Sequence, residues 1–301
     1  LSAELENKDY VVNYQLYAGT NAPITFNGLV RQYYMRQMPH MGEITLTIID
    51  KEDRDIGSHD IAKQIRQHLL PVANKLGANI KLVEEPSGPP TLAPIVAEIY
   101  GPDQESRHAT VNSLKSAFEN TDEIVDIDTT IAAQQKKWRV VFNEKKYQLL
   151  ADQPVGYLHD RKGKTPTPII VSATNAYKSN LQAWLSTKIT NNQGQLIPLS
   201  EFAEIKQVIQ DQPIYHKDLR PVAYLMADMA GETDSPLYGM FGAGGQFSEQ
   251  NPDVEMYYTQ APDIPYINAV KWDGEWQITY ETFRDMGIAY GVGLLLIYLL
   301  I

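Results

Sequence analysis

The residues best suited to chemistry lie in one short stretch, "YYMRQMPHM", residues 33–41. Met35, Met38 and Met41 recur at every third position, and His40 lies among them. Thioether sulfur and imidazole nitrogen are ligands that suit Cu(I) and, by extension, Ag(I). Methionine also fills irregular apolar contacts, and eight methionines in 301 residues is an ordinary content. The stretch therefore predicts either a soft-metal site or simple packing.

Large apolar side chains in and before this stretch could contact an organic ligand. They are Phe26, Leu29, Tyr33 and Tyr34. Apolar and aromatic walls with a few polar groups are typical of small-molecule pockets. Packing into a core is the alternative for the same residues.

Motifs of well-known catalytic sites do not occur in the sequence. It contains no G-x-S-x-G, no G-x-x-x-x-G-K-[ST] and no H-E-x-x-H. The pairs His159–Asp160 and His216–Asp218 are local and favour surface or structural histidines. We therefore predict no catalytic residue, no cofactor and no enzyme activity.

Composition narrows the class of protein further. The chain has no cysteine, which excludes a disulfide scaffold and thiolate metal sites. Its formal net charge is −11. A general nucleic-acid binder needs a basic face to displace counterions from phosphates. The basic clusters here are short, so we predict no nucleic-acid partner.

The C-terminal segment is typical of the start of a membrane helix. Residues 286–301 carry no charged side chain, although a complete span needs about 20 such residues. Trp272, Trp276 and Tyr280 precede this run at four-residue spacing, which predicts one side of a helix. Trp and Tyr prefer the membrane–water interface. We expect a membrane-interface segment and the start of a transmembrane helix over 271–301, with a buried core helix as the alternative.

Charge predicts the side of the membrane on which the chain lies. Residues 271–286 contain two basic and four acidic side chains, whereas cytoplasmic flanks are enriched in Lys and Arg. We therefore expect residues 1 to about 285 to form a large extracytoplasmic domain.

Periodicity predicts the elements that position these residues. Strands are expected over 9–17, 42–50 and 78–84, and a helix with Ser58 as its N-cap is expected to end at Gly77 and to kink at Pro71. The excursion 18–41 connects two strands that should pair, and long loops of this kind are usually functional.

Two strand–helix–strand units follow along the chain. They are predicted over 94–129 and 220–259, and together they make a split βαβ sheet. The helix of the second unit, about residues 233–247, is expected to be broken by Gly242, Gly244 and Gly245. Residues 130–219 look β-rich and would be inserted between the two units.

Several phrases resemble the second large periplasmic loop of a resistance–nodulation–division (RND) efflux transporter of the hydrophobe/amphiphile type. They are spread over most of the chain: "YAGTNAPITFNGLVRQYY", "GPPTLAPIVAEIYGPD", "PVGYLHD", "PLSEF", "QPIYHKDLRPVAYLMAD", "DSPLYGM" and "KWDGEWQITYETFRDMGIAYGVGLLLIYLL". The resemblance implies an α+β fold with two split βαβ (ferredoxin-like) porter subdomains, one of which carries a β-rich docking insertion.

The same resemblance assigns each part of the chain. Residues 1–93 would form the first porter subdomain, incomplete at its N-terminus, and 94–129 with 220–270 would form the second. Residues 130–219 would form the docking subdomain, and 271–301 the interfacial segment and the start of the eighth transmembrane helix. The family's opening strand and helix are missing here, as is a helix near 149–153. We expect a transmembrane helix upstream of Leu1.

The resemblance also implies a function. The chain would be the periplasmic substrate-binding and transport portion of a proton-driven multidrug permease that exports amphiphilic compounds by alternating access. The intact protein would be a homotrimer in the bacterial inner membrane, working with a periplasmic adaptor (membrane fusion protein) and an outer-membrane channel. The excursion 18–41 would switch between drug pockets, with Phe26, Leu29, Tyr33 and Tyr34 near substrate.

Two other functions remain open at this point. One is export of Cu or Ag by a heavy-metal member of the family, through Met35, Met38, His40 and Met41. The other is a non-transporting envelope adaptor or structural module. The proton relay of the family lies in membrane helices outside this chain.

Overall fold

The computed structural model describes residues 10–84, 90–142, 156–158, 167–169, 180–190, 194, 196–201, 203–231, 235–264 and 266–300. The chain divides into two compact units, one formed by Leu1–Ala132 with Pro213–Ile301 and the other by Ala133–Gln212. The predicted junction at 149–153 and the pair His159–Asp160 lie outside the described residues. The predicted division of the larger unit at residue 93 stays a prediction.

The helices and strands are, in chain order, β1 (Val11–Ala18), α1 (Phe26–Val30), β2 (Gly42–Ile48), α2 (Ser58–Leu76), β3 (Ile95–Tyr100), α3 (Gln104–Glu119), β4 (Ile124–Thr129), β5 (Lys136–Phe142), β6 (Gly156–Leu158), β7 (Thr167–Ile169), α4 (Leu181–Leu185), β8 (Lys188–Thr190), β9 (Leu196–Pro198), β10 (Ala203–Ile209), β11 (Tyr215–Lys217), β12 (Arg220–Met229), α5 (Pro236–Gln250), β13 (Glu255–Tyr257), β14 (Ala269–Gly274) and α6 (Glu275–Leu300). This mixture of helices and strands confirms the predicted α+β class.

The first part of the larger unit is a two-stranded antiparallel sheet covered by one helix. Strands β1 and β2 pair, and the excursion 18–41 connects them. Alternating apolar residues of β2 pack against the buried face of α2, which carries Ile61, Ile65 and Leu69. Helix α2 ends at Gly77, whose φ of 63° is the left-handed conformation that favours glycine.

Two local predictions for this part are corrected by the structure. Gly57, not Ser58, is the N-cap of α2, so Ser58 is its first helical residue. Helix α2 continues through Pro71 to Leu76, which confirms its predicted end, and the kink at Pro71 stays a prediction. Residues 78–84 form no strand; instead Ile80 and Leu82 pack against the apolar cluster beneath α2.

A six-stranded sheet forms the second part of the larger unit. Its order is β11–β12–β3–β14–β13, and β4 also pairs with β12. Helices α3 and α5 cover one face, where the largest core cluster includes Phe118, Phe247, Leu225 and Trp272. Every residue of β3 is buried, which explains why this strand is a continuous apolar run interrupted only by Glu98.

The place beside β3 is taken by a strand that the sequence did not predict. Strand β14 pairs with β3 in antiparallel register, from Ala269 opposite Tyr100 to Gly274 opposite Ile95. The predicted strand over 253–259 is reduced to the three-residue β13, which pairs with β14 rather than with β3. The prediction that residues 271–274 belong to the membrane-interface segment is therefore wrong, because they are part of β14.

Trp272 is a core residue. It is 0% exposed and stacks on Phe118 with ring centroids 6.1 Å apart. The prediction that Trp272 lies at the membrane interface, on one helical face with Trp276 and Tyr280, is therefore wrong. Helix α6 begins only at Glu275, so a four-residue spacing across that boundary has no helical meaning.

The glycines of α5 allow close packing and do not break the helix. Helix α5 runs unbroken from Pro236 to Gln250, which corrects the prediction of a break at Gly242, Gly244 and Gly245. A Cβ on Gly244 would lie 3.0 Å from Cζ2 of Trp272. Glycine at this position thus lets the helix lie directly on the indole ring.

Helix α6 is long and apolar enough to cross a membrane, judged by length and composition. It has 26 residues and a mean hydropathy of 1.5 in its most apolar stretch, none of which is buried. At 1.5 Å per residue its length is about 39 Å, which exceeds the hydrocarbon core of a bilayer.

The smaller unit is β-rich in its described residues. Strands β5 and β10 pair over seven residues from Ala203 opposite Phe142 to Ile209 opposite Lys136, and β6–β7 and β8–β9 form two short antiparallel pairs. The amide of Gln210 donates to the carbonyl of Gln135 at 2.7 Å, so the chain enters and leaves this unit side by side.

Candidate substrate-binding pocket

A cavity of about 340 Å³ lies in the larger unit, a volume within the range of small-molecule sites. The excursion between β1 and β2 forms one wall. The segment after α2, the residues before β3, strand β4 with the turn that follows it, and strands β11 and β12 form the rest. Segments far apart in the sequence therefore meet at one concave surface.

The excursion is built so that only part of it reaches the cavity. Helix α1 begins after Thr25, whose Oγ1 accepts a hydrogen bond from the amide of Gly28 at 3.0 Å. Gln32 then adopts a left-handed conformation with φ 59° and opens a short 3₁₀ turn over Tyr33–Met35. The amide of Gly19 donates to the carbonyl of Met41 at 2.8 Å, which closes the base of the excursion.

The structure divides the predicted ligand-contacting residues into two groups. Tyr33, Met35, Met38 and Met41 line the cavity. Phe26 (73% exposed), Leu29 and Tyr34 are exposed, and neither they nor His40 line it. Phe26 and Leu29 precede the left-handed turn at Gln32, and periodicity does not reveal such a turn.

Six charged side chains line the cavity, and no local pattern predicted that they would meet. They are Arg31, Arg36, Lys81, Asp126, Asp128 and Asp228. Asp126 is held by Arg66 of α2, whose Nη2 and Nε donate to its two oxygens at 2.7 and 3.3 Å. The amide of Leu82 donates to the same carboxylate at 3.0 Å. Lys81 pairs with Asp128.

Burial makes the charge of Lys81 sensitive to pH. It lowers the pKa of Lys81 to about 7, the nearby Arg36 guanidinium lowers it as well, and Asp126 opposes both. Arg36 lies over the ring of Tyr33, with Cζ 4.0 Å from the ring centroid, a favourable cation–π contact.

Asp228, on β12, also lines the cavity. Burial raises its pKa, the hydrogen bond from the amide of Met229 at 2.8 Å lowers it, and the charge of Asp126 raises it again. The charges of Arg31 and Arg66 also lower the pKa of this carboxyl.

Methionine sulfur is the metal ligand that the cavity offers. Met226 of β12 joins Met35, Met38 and Met41 among the lining residues. Among the described residues no three His, Cys, Asp or Glu side chains are grouped to hold a metal ion. A metal in this cavity would thus be a soft one, coordinated mainly by thioethers.

A second charged cluster lies within the six-stranded sheet and is fully partnered. Glu98 is 0% exposed; its Oε1 contacts Lys217 and lies 3.3 Å from Nζ of Lys271, and its Oε2 accepts from the hydroxyl of Tyr100 at 2.7 Å. Asp273 pairs with the same two lysines at 2.8 and 3.2 Å. This cluster ties β3, β11 and β14 together and has a structural role.

The charges around Asp273 keep it ionised. Burial alone would raise its pKa, but hydrogen bonds with Glu98 and Lys217 and the charges of Lys271 and Lys217 together hold it well below its ordinary value.

Two solved structures are similar to this chain over almost its whole length. Both are X-ray crystal structures of a heavy metal efflux pump, in crystal forms II and I, with TM-scores of 0.67 and 0.65 and sequence identities of 11% and 12%. Each comparison covers 98% of this chain and 30% of the pump. No family model and no curated protein matches the sequence. At this identity the likeness establishes the fold, which is that of one part of a much longer pump.

Proposed function

We propose that this chain is the periplasmic substrate-binding and transport portion of a proton-driven RND efflux permease that exports amphiphilic compounds by alternating access. The observation that carries the proposal is the cavity. It combines apolar walls with a few convergent polar groups, as binding sites for amphiphiles require.

The excursion between β1 and β2 supplies the mobile element that alternating access needs. It contributes Tyr33, Met35, Met38 and Met41 to the cavity, and the hydrogen bond from Gly19 to Met41 closes its base. A ligand that binds one conformation of this excursion better than the other shifts the equilibrium between them.

The membrane and partner assignments follow from the same proposal. Helix α6 anchors the chain in the bacterial inner membrane, with the preceding residues in the periplasm, and Trp276 and Tyr280 lie at the interface. The intact permease is a homotrimer that works with a periplasmic adaptor and an outer-membrane channel. The fold shared with an efflux pump supports this set of partners.

Heavy-metal export is the second candidate. The four methionines that line the cavity favour it, because thioethers suit Cu(I) and Ag(I). The two similar structures, which are described as a heavy metal efflux pump, also support it. His40, one of the four predicted ligands, does not line the cavity, so Met226 takes its place in this proposal.

Binding of a fluorescent amphiphile tests the first candidate. The probe is N-phenyl-1-naphthylamine, added to the full chain in lipid nanodiscs with empty nanodiscs as the blank. Tyr33→Ala is expected to weaken binding by about fivefold to tenfold, since it removes an aromatic wall. Tyr238→Ala is the matched control because Tyr238 is exposed on α5, outside the cavity. Binding that is equally strong in both variants would contradict the proposal.

Silver titration tests the second candidate. Calorimetry with Ag(I) should show a site of one ion per chain that Met38→Ala weakens and Met286→Ala, in α6, does not. If Ag(I) binds in this way and the naphthylamine does not, heavy-metal export replaces amphiphile export. If neither ligand binds, both candidates fail.

A further inference from the structure

Among the described residues of the cavity, Arg36 is the cation that no carboxylate offsets. Its lining contains three basic and three acidic side chains. Arg66 lies outside the lining and neutralises Asp126 through two hydrogen bonds. Lys81 and Asp128 neutralise each other. The charge of Arg31 acts on the carboxyls of Asp228 and Glu275. Arg36 is therefore the remaining cation.

Arg36 is the basic group with the most unused bonding capacity. Its Cζ lies over the ring of Tyr33, 4.0 Å from the centroid. Within the described part of the chain no carboxylate pairs with it. A guanidinium has five N–H donors in a planar fork that matches a carboxylate or a sulfonate. The ring of Tyr33 holds this fork at the cavity while leaving it without a counter-ion.

The position of Lys81 shows where a counter-ion would act. The charge of Arg36 disfavours the protonated form of Lys81, so the two cations are close enough to repel each other. An anion bound beside Arg36 would reduce this repulsion and gain from both charges. Arg31 lies on the same excursion, with its Nε donating to Oδ1 of Asn27 at 3.2 Å.

The remaining wall is apolar. Met35, Met38 and Met41 come from the excursion, and Val83 and Leu92 from the segments on either side of residues 85–89. Thioether and aliphatic side chains can accommodate an alkyl or aryl group without a fixed shape. The cavity thus places a cationic site beside an adaptable apolar surface.

We propose that the cavity selects amphiphiles with an anionic head, a carboxylate or a sulfonate, and that Arg36 binds this head while the methionine wall holds the apolar part. This inference rests on the proposed function and names its substrate class. It also favours amphiphiles over Cu(I) and Ag(I), because the guanidinium of Arg36, which has no counter-ion, repels a metal cation.

Three dansyl probes that differ in their heads test the proposal. They are 11-(dansylamino)undecanoate, its neutral methyl ester and the corresponding trimethylammonium cation, each titrated into the full chain in nanodiscs of zwitterionic lipid. We expect the carboxylate to bind about tenfold more tightly than the ester, and the cation more weakly than both.

Arg36→Gln should remove the preference for the carboxylate and leave the affinity for the ester within about twofold, since only the charged contact is lost. The ester serves as the folding control for this variant, and Arg36→Lys should restore part of the preference. Arg284→Gln is the matched control, because Arg284 also lies beside a tyrosine, Tyr280, but on α6.

The outcomes separate this inference from the function on which it rests. If the cation or the ester binds best, or if Arg36→Gln keeps the preference for the carboxylate, the anionic-head proposal is overturned while amphiphile binding stands. If none of the three probes binds, the proposed function itself fails.

Discussion

Arg36 and Met38 line the same cavity and favour ligands of opposite charge. The sulfur of Met38 suits a soft metal cation, whereas the guanidinium of Arg36 suits an anion. Both can serve one ligand if the ligand is an amphiphile, because methionine then acts as an apolar surface. Sequence alone could single out the methionines, since they recur within one stretch. It could not weigh them against Lys81 and Asp126, which arrive from other elements.

The pH dependence of stability tests the burial of Lys81. Its pKa is about 7 in the folded chain, against about 10.4 in an unfolded one. Between these values the unfolded chain binds more protons, so the free energy of unfolding rises with pH, by on the order of 2 kcal/mol from about pH 7 to about pH 9. Urea unfolding in nanodiscs across this range measures the rise.

Lys81→Met should lose this rise, because it removes the titrating group. Lys115→Met should keep it, since Lys115 forms an exposed pair with Glu119 on α3. A rise of the same size in wild type and Lys81→Met would show that another group is responsible.

Glu98 is the residue whose loss should cost the sheet most. Glu98→Ala leaves Lys217 and Lys271 sharing the single carboxylate of Asp273. Breaking a buried charge network in this way costs about 3 kcal/mol or more. Glu119→Ala, which breaks an exposed pair, should cost less than about 1 kcal/mol. Chemical unfolding followed by circular dichroism compares the two; equal losses would contradict the structural role given to Glu98.

At the scale of elements, the prediction from sequence was wrong at the junction of β14 and α6. Trp272, Trp276 and Tyr280 have helical spacing, yet the first belongs to a buried strand and the other two to a helix. Strand β14 alternates between Val270 and Trp272, which lie in the core, and Lys271 and Asp273, which form ion pairs. These charged residues made the short strand resemble the exposed approach to the helix. Elements with one exposed face, such as β2 and α2, were predictable because their periodicity survives.

Gly274 makes this junction possible. Its φ is 79°, and a Cβ there would lie 2.6 Å from the carbonyl oxygen of Pro94. Gly274→Ala should therefore destabilise the fold by about 1–2 kcal/mol from the left-handed backbone alone, and by more through the clash. Gly287→Ala, in the middle of α6, is the control, since a Cβ there meets nothing within 4 Å.

Thermal unfolding of these two variants in nanodiscs gives the comparison. The Gly274 variant should unfold at a lower temperature than wild type, and the Gly287 variant at the same or a higher one because alanine favours the helix. A Gly274 variant as stable as wild type would mean that α6 does not leave the sheet through this turn.

At the scale of the whole molecule, the fold class was predictable and the cavity was not. The order of strands and helices, with a β-rich insertion, follows from local patterns. The cavity depends on residues as far apart as Arg31 and Asp228, and their meeting depends on tertiary packing that no local pattern encodes. Tyr33, Met35, Met38 and Met41 were exceptions, because the excursion that carries them was unusual in length.

Removal of the smaller unit tests how independent the larger one is. Gln135 and Gln210 are joined by a backbone hydrogen bond, so a short Gly/Ser linker between them can replace 136–209. The shortened chain should keep its helical circular dichroism and its naphthylamine binding, since the lining residues all belong to the larger unit. Loss of binding with the fold intact would show that the smaller unit helps to form the site.

Helix α6 follows β14 directly, and the amide of its first residue, Glu275, donates to the carbonyl of Pro94 at 3.0 Å. Pro94 is itself part of the cavity wall. If α6 turned about Gly274, it would act on the cavity wall as a long lever arm. A tilt of about 10° would move the far end of this arm by about 7 Å and its first turn by less than about 1 Å. A large displacement of the helix within the bilayer would thus become a small displacement at the cavity wall.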